Sequence, residues 1–519
     1  MAKSIYPIID SRSKNEVAVF IDDKCKYSSN TPYHPNELYP EYPFRENNIE
    51  KTSVLEKDSY YAVRQIFHLL EYDINNFGTK NWNPLGHIIK PGQNVVLKPN
   101  FILHYNEAGY DIYASLTHPS VIRAMADYCY IAMKGKGNLC IAEAPQMNCE
   151  FDKIEELMKL QSIKEFYKKE ANFDFNIIDI RRLKCKFDYD KGYFPSDSFV
   201  TNENADPLGY TIIDLGNESY LHGIIGLENL YGADYDRKFT VANHSRGVHK
   251  YCISNTILNA DTVICLPKLK THKKVGVTLN IKLLVGINGD KNYLAHYRIG
   301  TADQNGDEYP TTSKTNVRIS RKVARFINDN LFAKRSKFTD QIFLLIKTIG
   351  QPVLNFLRNK NIVLLPDEKD RVYGGNWYGN DTAWRMACDL ARILFYSDKN
   401  GKIKSVPQRN ILSVVDGIIA GEGDGPMSPE PKNIGTLISG ENILAVDTAC
   451  ATLMGFDYRK IKMLSNSWKK NKFSIVDFSP VKSKIKSNIP SINESSVENC
   501  MFFNFKPHPQ WEGHIELDE

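Results

Sequence analysis

In the stretch KLKTHKK, potentially cationic side chains recur at every second position: Lys268, Lys270, His272 and Lys274. An extended segment with that spacing puts all four on one face and Leu269 on the other. Such an edge suits an anionic partner, although a basic alternating edge also serves simply to discourage strand aggregation. His272 is the member that titrates near neutral pH, which fits it for acid or base work. After Gly276 the apolar run Val277, Leu279, Ile281, Leu283, Leu284 and Val285 encloses Lys282. A lysine inside such a run either snorkels or serves a site. His272 and Lys282 are therefore the candidate catalytic residues, and Lys268 and Lys270 are candidate substrate contacts.

Three other segments end in residues of the same kind. NVVLKPNF reads as a strand delivering Lys98 and Asn100, and NLCIAEAP as a strand delivering Glu143. Lys98 and Glu143 would bind substrate or else form a structural ion pair with each other. In GNWYGNDTAWRM, Asn380 and Arg385 are candidate polar contacts. The run Asn410 to Val415 reads as a strand ending at Asp416, followed by the acidic glycine-rich turn Gly421 to Gly425. Glu422 and Asp424 would repel a phosphate, so with Asp416 they suit a hard divalent cation or sugar hydroxyls; the alternative is a tight turn with solvated acids.

The elements that must position these groups are strands and helices in alternation. Thr262 to Leu266 reads as a buried strand, and THPSVIRAMADYCYIAM as a helix capped by Thr117 with Pro119 in its first turn. With the strands before and after it, that helix makes a βαβ unit, and polar residues at parallel strand ends converge. The expected fold class is α/β: two lobes with mixed or parallel sheets around a shared cleft, 55–316 and 371–519. Residues 1–54, rich in Tyr, Pro and Asn, read as an extended wrap. Between the lobes, 317–370 forms a basic amphipathic helical insertion, in which arginines and lysines alternate with Phe, Leu and Ile. Its part 317–364 reads either as a helical hairpin docked on the body or as a peripheral contact with an anionic membrane.

Composition narrows the function. A net charge of +5 over 519 residues is too small for a dedicated nucleic-acid binder, so any basic surface is local. Ten cysteines include no C-x-x-C pair, which speaks against a structural zinc or an iron–sulfur cluster. The opening MAKSIYPIIDSRSKN has no apolar signal core, and no segment reaches the ~18 apolar residues of a spanning helix. The expectation is a cytoplasmic protein, with the inner membrane face as a further placement if the insertion touches lipid.

These same strings resemble the signature of the domain-of-unknown-function family 362. The resemblance rests on LPKLKTHKKVGVTLNIKLLVG, VVLKPNF, THPSVIRAM, IAEAP, GNWYGNDTAWRMACDLARIL, VVDGIIAGEGDGP and ISGENILAVDTACATLMGFD. It spans most of the chain and implies a fold without a reaction. Relatives with an added ferredoxin-like cysteine run differ from this chain, which lacks one. More remotely, PKLKTHKKVGVTLNIKLLVG is similar to a segment of lactate racemase-type proteins, whose two-domain cleft binds a nicotinic-acid-derived nickel cofactor. Asn280 and Ile281 stand where that family has paired glycines, so the similarity extends to a cleft and to no cofactor. The expected function is an enzyme acting, in the inter-lobe cleft, on a phosphorylated or carboxylated metabolite, surface-polysaccharide or lipid-linked ones included. The alternative is a non-catalytic anion-binding or membrane-surface scaffold.

Overall fold

The structure is a computed structural model, and it describes all residues except 1–6, 45–56, 189, 191–192, 233–235, 331–332, 334–335, 360–371, 373 and 519. The ends of the expected wrap and of the insertion therefore lie outside the described residues.

Ten strands form one mixed sheet. They are β1 (Glu16–Ile21), β2 (Asn94–Pro99), β3 (Asn138–Glu143), β4 (Asn176–Asp179), β5 (Thr262–Leu266), β6 (Lys268–His272), β7 (Gly276–Val277), β8 (Asn410–Glu422), β9 (Glu430–Gly440) and β10 (Lys484–Ser487). Their order is β10-β1-β9-β8-β5-β2-β3-β4, with β6 pairing to β8 and β7 to β6. The α/β class is as the sequence indicates. The two expected lobes, however, share this sheet: β5 runs parallel to both β2 and β8, which joins the halves through the most apolar strands of each. β1 comes from the expected wrap and pairs with β9 and β10, so that region supplies a strand as well as a covering.

Alternate residues of each strand enter opposite cores, as a sheet covered on both faces requires. Val17, Val19, Val96, Val263, Cys265, Val415 and Ile438 pack on one side, against helices α6 (Ala383–Tyr396) and α7 (Ile443–Leu453). Ala18, Phe20, Val95, Leu97, Ile264, Leu266, Val414 and Leu437 pack on the other, against α1 (Ser59–Leu69) and α2 (Pro119–Met133). Tyr33, Tyr39, Tyr42 and Phe44 from the N-terminal region join this second core. Two local expectations shift. α2 is capped by His118, whose Nδ1 accepts from Ser120 N–H, while Thr117 Oγ1 donates to Leu266 O at 2.6 Å. β8 also runs past Asp416 to Glu422, because Gly417, which has no side chain, lets the strand pass close beneath Leu269.

The insertion forms two helices, α4 (Thr315–Asn330) and α5 (Lys337–Asn359). No helix among the described residues is long and apolar enough to cross a membrane.

Candidate functional site

The carboxyl ends of β2 and β3 lie side by side, and there Lys98 Nζ donates to Glu143 Oε2 at 2.6 Å and to Pro99 O at 3.0 Å. Phe101 N–H also donates to Glu143 Oε2, at 3.2 Å. Both side chains are buried. Burial holds the Glu143 carboxyl above its usual range, opposed by the Lys98 charge. The space they occupy exists because residue 286 is glycine: a Cβ there would overlap Glu143 Oε1 and stand 2.6 Å from Lys98 Nζ.

β6 and β7 form a short hairpin, in which His272 pairs with Gly276. The turn ties back His272, whose Nδ1 accepts from Lys274 N–H at 3.0 Å. Burial and the neighbouring Lys282 and Lys273 charges push the imidazole well below its ordinary pKa. The ring is thus neutral with its proton on Nε2, where it can only donate. Helix α3 (Leu279–Leu283) follows at once. Leu279 sits at φ 44°, a left-handed conformation that costs a branched residue free energy. Asp447 on α7 holds it there, with Oδ1 accepting Asn280 N–H at 2.8 Å and Oδ2 accepting Ile281 N–H at 2.9 Å. This anchored turn aims Lys282, whose amine has no protein partner among the described residues. Burial pushes it down to about 8.

Lys282 and His272 line a cavity of about 550 Å³ that also takes in Asn100, Glu143, Lys273, Lys274, Lys291 and His296. Phe194, Phe199, Met147, Met427 and Leu283 supply its apolar wall. Lys291 Nζ donates to Ala144 O at 2.8 Å, and burial pushes it down to about 7 despite Glu143 nearby. Lys274 donates to Gly374 O and is likewise pushed to about 7 by burial and Lys273. His296 complements His272. Its Nδ1 lies 3.0 Å from Leu294 O, and a carbonyl can only accept, so Nδ1 carries the proton. Burial, with Lys282 and Lys274, keeps this ring neutral too, which leaves Nε2 as an open acceptor. Asn380 steadies the segment by donating to His296 O at 3.0 Å.

A family model described as a domain of unknown function (DUF362) matches residues 196–452. The chain carries a DUF362 domain. Comparison with curated proteins and with solved structures yields no match. The DUF362 span supplies β5 to β8, α3, His272, Lys282, Lys291 and His296, whereas Lys98, Asn100 and Glu143 come from the strands upstream of it. The cavity is therefore built jointly by the DUF362 domain and the preceding βαβ unit.

Set against this geometry, the residues expected from sequence divide. His272, Lys282, Asn100 and Glu143 face the cavity, and Lys98 stands directly behind Glu143. Lys268 does not reach it: its Nζ lies 2.9 Å from Asp416 Oδ2 and donates to Tyr27 OH at 2.7 Å, in a closed buried cluster where Tyr27 OH also donates to Asp416 Oδ1 at 2.6 Å. Lys270 is tied to Ser115 O at 2.6 Å and Pro426 O at 3.2 Å. Arg385 pairs with Asp381 at 2.9 Å and donates to Tyr220 O, outside the cavity lining. Asn380 precedes α6, accepts from Thr382 and Ala383 N–H, and lies outside the cavity lining, where its Nδ2 holds the His296 and Gly375 carbonyls.

The proposed cation set does not assemble. Asp416 is held by Lys268, Glu422 by Lys432 at 2.8 Å, and Asp424 by the His508 ring at 3.2 Å, so each carboxylate is engaged by a different side chain. No group of three or more His, Cys, Asp or Glu that could hold a metal occurs among the described residues. Lys291 and His296 were not singled out by the sequence. They sit in the loop-like stretch after α3, where no periodicity marks a face, and a lysine and a histidine there look like ordinary loop residues.

Proposed function

We propose that the cavity binds a small metabolite bearing a carboxylate or phosphate, and that acid–base chemistry is carried out on it between His272 and His296. The observation that carries this reading is the pair of opposite Nδ1 contacts on one lysine-lined cavity: His272 Nδ1 faces an N–H and His296 Nδ1 a carbonyl, which assigns a donor to His272 Nε2 and an acceptor to His296 Nε2. Lys282, the amine without a protein partner, receives the anionic group, which favours its protonated form. His296 Nε2 removes a proton from the bound molecule. His272 Nε2–H donates to the oxygen on which negative charge then develops, as a neutral imidazole can without losing its own proton. The apolar wall of Phe194, Phe199 and Met427 limits water and strengthens each of these interactions.

The test is a thermal-shift screen of the intact protein against phosphorylated and carboxylated metabolites, with each hit followed for turnover by mass spectrometry. An enzyme of this design loses binding in Lys282→Met, and in His296→Gln keeps binding while losing turnover. A non-catalytic anion carrier would show the same loss in Lys282→Met but no turnover in either protein. Hits that bind Lys282→Met as well as wild type would remove the cavity from consideration.

A further inference from the structure

The proton transfer between His272 and His296 assigns no role to the outer surface of the insertion's two basic helices, and that surface is unusual. On α4, Arg321 and Arg325 face the body, where Arg321 Nε lies 2.7 Å from Oε1 and Arg325 Nη1 2.9 Å from Oε2 of the fully buried Glu308. The opposite side carries Ile319, Val323 and Phe326, which are 57%, 54% and 67% exposed. Helical spacing of four and three puts these on one stripe. A packed surface helix turns its apolar face inward; α4 buries Val317 but otherwise sets Arg321 and Arg325 against the body and leaves this stripe in water. α5 repeats the pattern with Phe338, Leu345 and Ile349, which are 70%, 60% and 58% exposed and spaced by seven and four.

Cations border these stripes. Arg318 and Lys322 are exposed one position before Ile319 and Val323, and exposed Lys337 precedes Phe338. The acids of the two helices are turned elsewhere: Asp329 accepts from Tyr231 OH and faces Arg237, and Asp340 accepts from Ser196 N–H at 2.9 Å. Apolar stripes left in water on folded helices mark contact sites. Apolar stripes with arginine and lysine beside them and no free acid fit the headgroup region of an anionic bilayer, where the stripe enters the acyl boundary and the cations meet phosphates.

The insertion is also joined to the cavity. Arg321 lines it, and the segment bearing the wall residues Phe194 and Phe199 is fastened to α5 by Ser196–Asp340 and by Tyr193 against Phe343, ring centroids 5.4 Å apart. We infer that α4 and α5 seat the protein on an anionic lipid surface, which places the aromatic side of the cavity beside that surface.

The test uses the full-length protein and two kinds of vesicle, phosphatidylcholine alone and phosphatidylcholine with an equal part of phosphatidylglycerol. The protein should pellet with the anionic vesicles, remain in the supernatant with the neutral ones, and be partly released by high salt. The double variant Val323→Glu with Leu345→Glu should stay in the supernatant with both, with an unchanged unfolding temperature, since both side chains are exposed. Lys282→Met should pellet like wild type, which separates this inference from the reading of the cavity. Equal recovery in the supernatant with both vesicles would overturn the inference, as would pelleting by the double variant. So would a self-associated form that binds no vesicles and is dissociated by the double variant, since the stripe would then be covered by a second copy.

Discussion

Glu143 fills the space that a side chain on Gly286 would need. The ion pair of Glu143 with Lys98 and the turn that follows α3 are therefore packed backbone against carboxylate. Gly286→Ala must either move this turn or part the pair, and parting a buried pair costs roughly 3–5 kcal/mol. Urea unfolding should show a loss of that order. An unchanged midpoint would mean that the strand ends and the α3 turn are not in contact.

Lys282, Lys291 and Lys274 are held well below the ordinary lysine range, at about 8, about 7 and about 7, each chiefly by burial. A depressed folded pKa means that the unfolded chain binds more protons between that value and the free lysine pKa of about 10.4. Stability of the unliganded protein should therefore rise with pH from about 7 towards 10, the reverse of an ordinary lysine salt bridge. Lys282→Met removes one such group without shortening the side chain. It should raise stability at pH 7 by roughly 1–3 kcal/mol and flatten the rise above pH 8. A destabilised variant would show that Lys282 has a carboxylate partner in solution.

An anion entering beside Lys282 favours its charged form, so binding near pH 8 should take up a proton. Titration calorimetry in buffers of different ionisation enthalpy measures that uptake. Affinity should fall as pH climbs above 8 in wild type and be weak and flat in Lys282→Met. Proton release on binding would contradict the assignment.

Much of the scaffold was legible in the sequence because its strands are buried on both faces and read as unbroken apolar runs. Thr262 to Leu266 is β5 as expected, and Lys98 and Glu143 end β2 and β3 as the βαβ pattern implies. Lys282 stood out as a charge in an apolar run. The alternation that marked Lys268 was real, but strand periodicity fixes a face and says nothing of what covers it; Tyr27, from 241 residues away, closes that face. The acids of β8 and its turn looked like a cation set because they are close in sequence, yet the strand runs on through them and disperses their side chains. His296 was invisible for a different reason. Its role depends on which nitrogen a backbone carbonyl claims, and no pattern of residue types encodes that.

The opposed protonation of His272 and His296 can be measured by nitrogen NMR of histidine-labelled protein at pH 7, with His272→Gln and His296→Gln to assign the signals. The account predicts two neutral rings, His272 protonated on Nε2 and His296 on Nδ1, both perturbed when an anion that raises the unfolding temperature is added. Two rings of the same tautomer, a charged imidazolium at either position, or signals indifferent to that anion would contradict it.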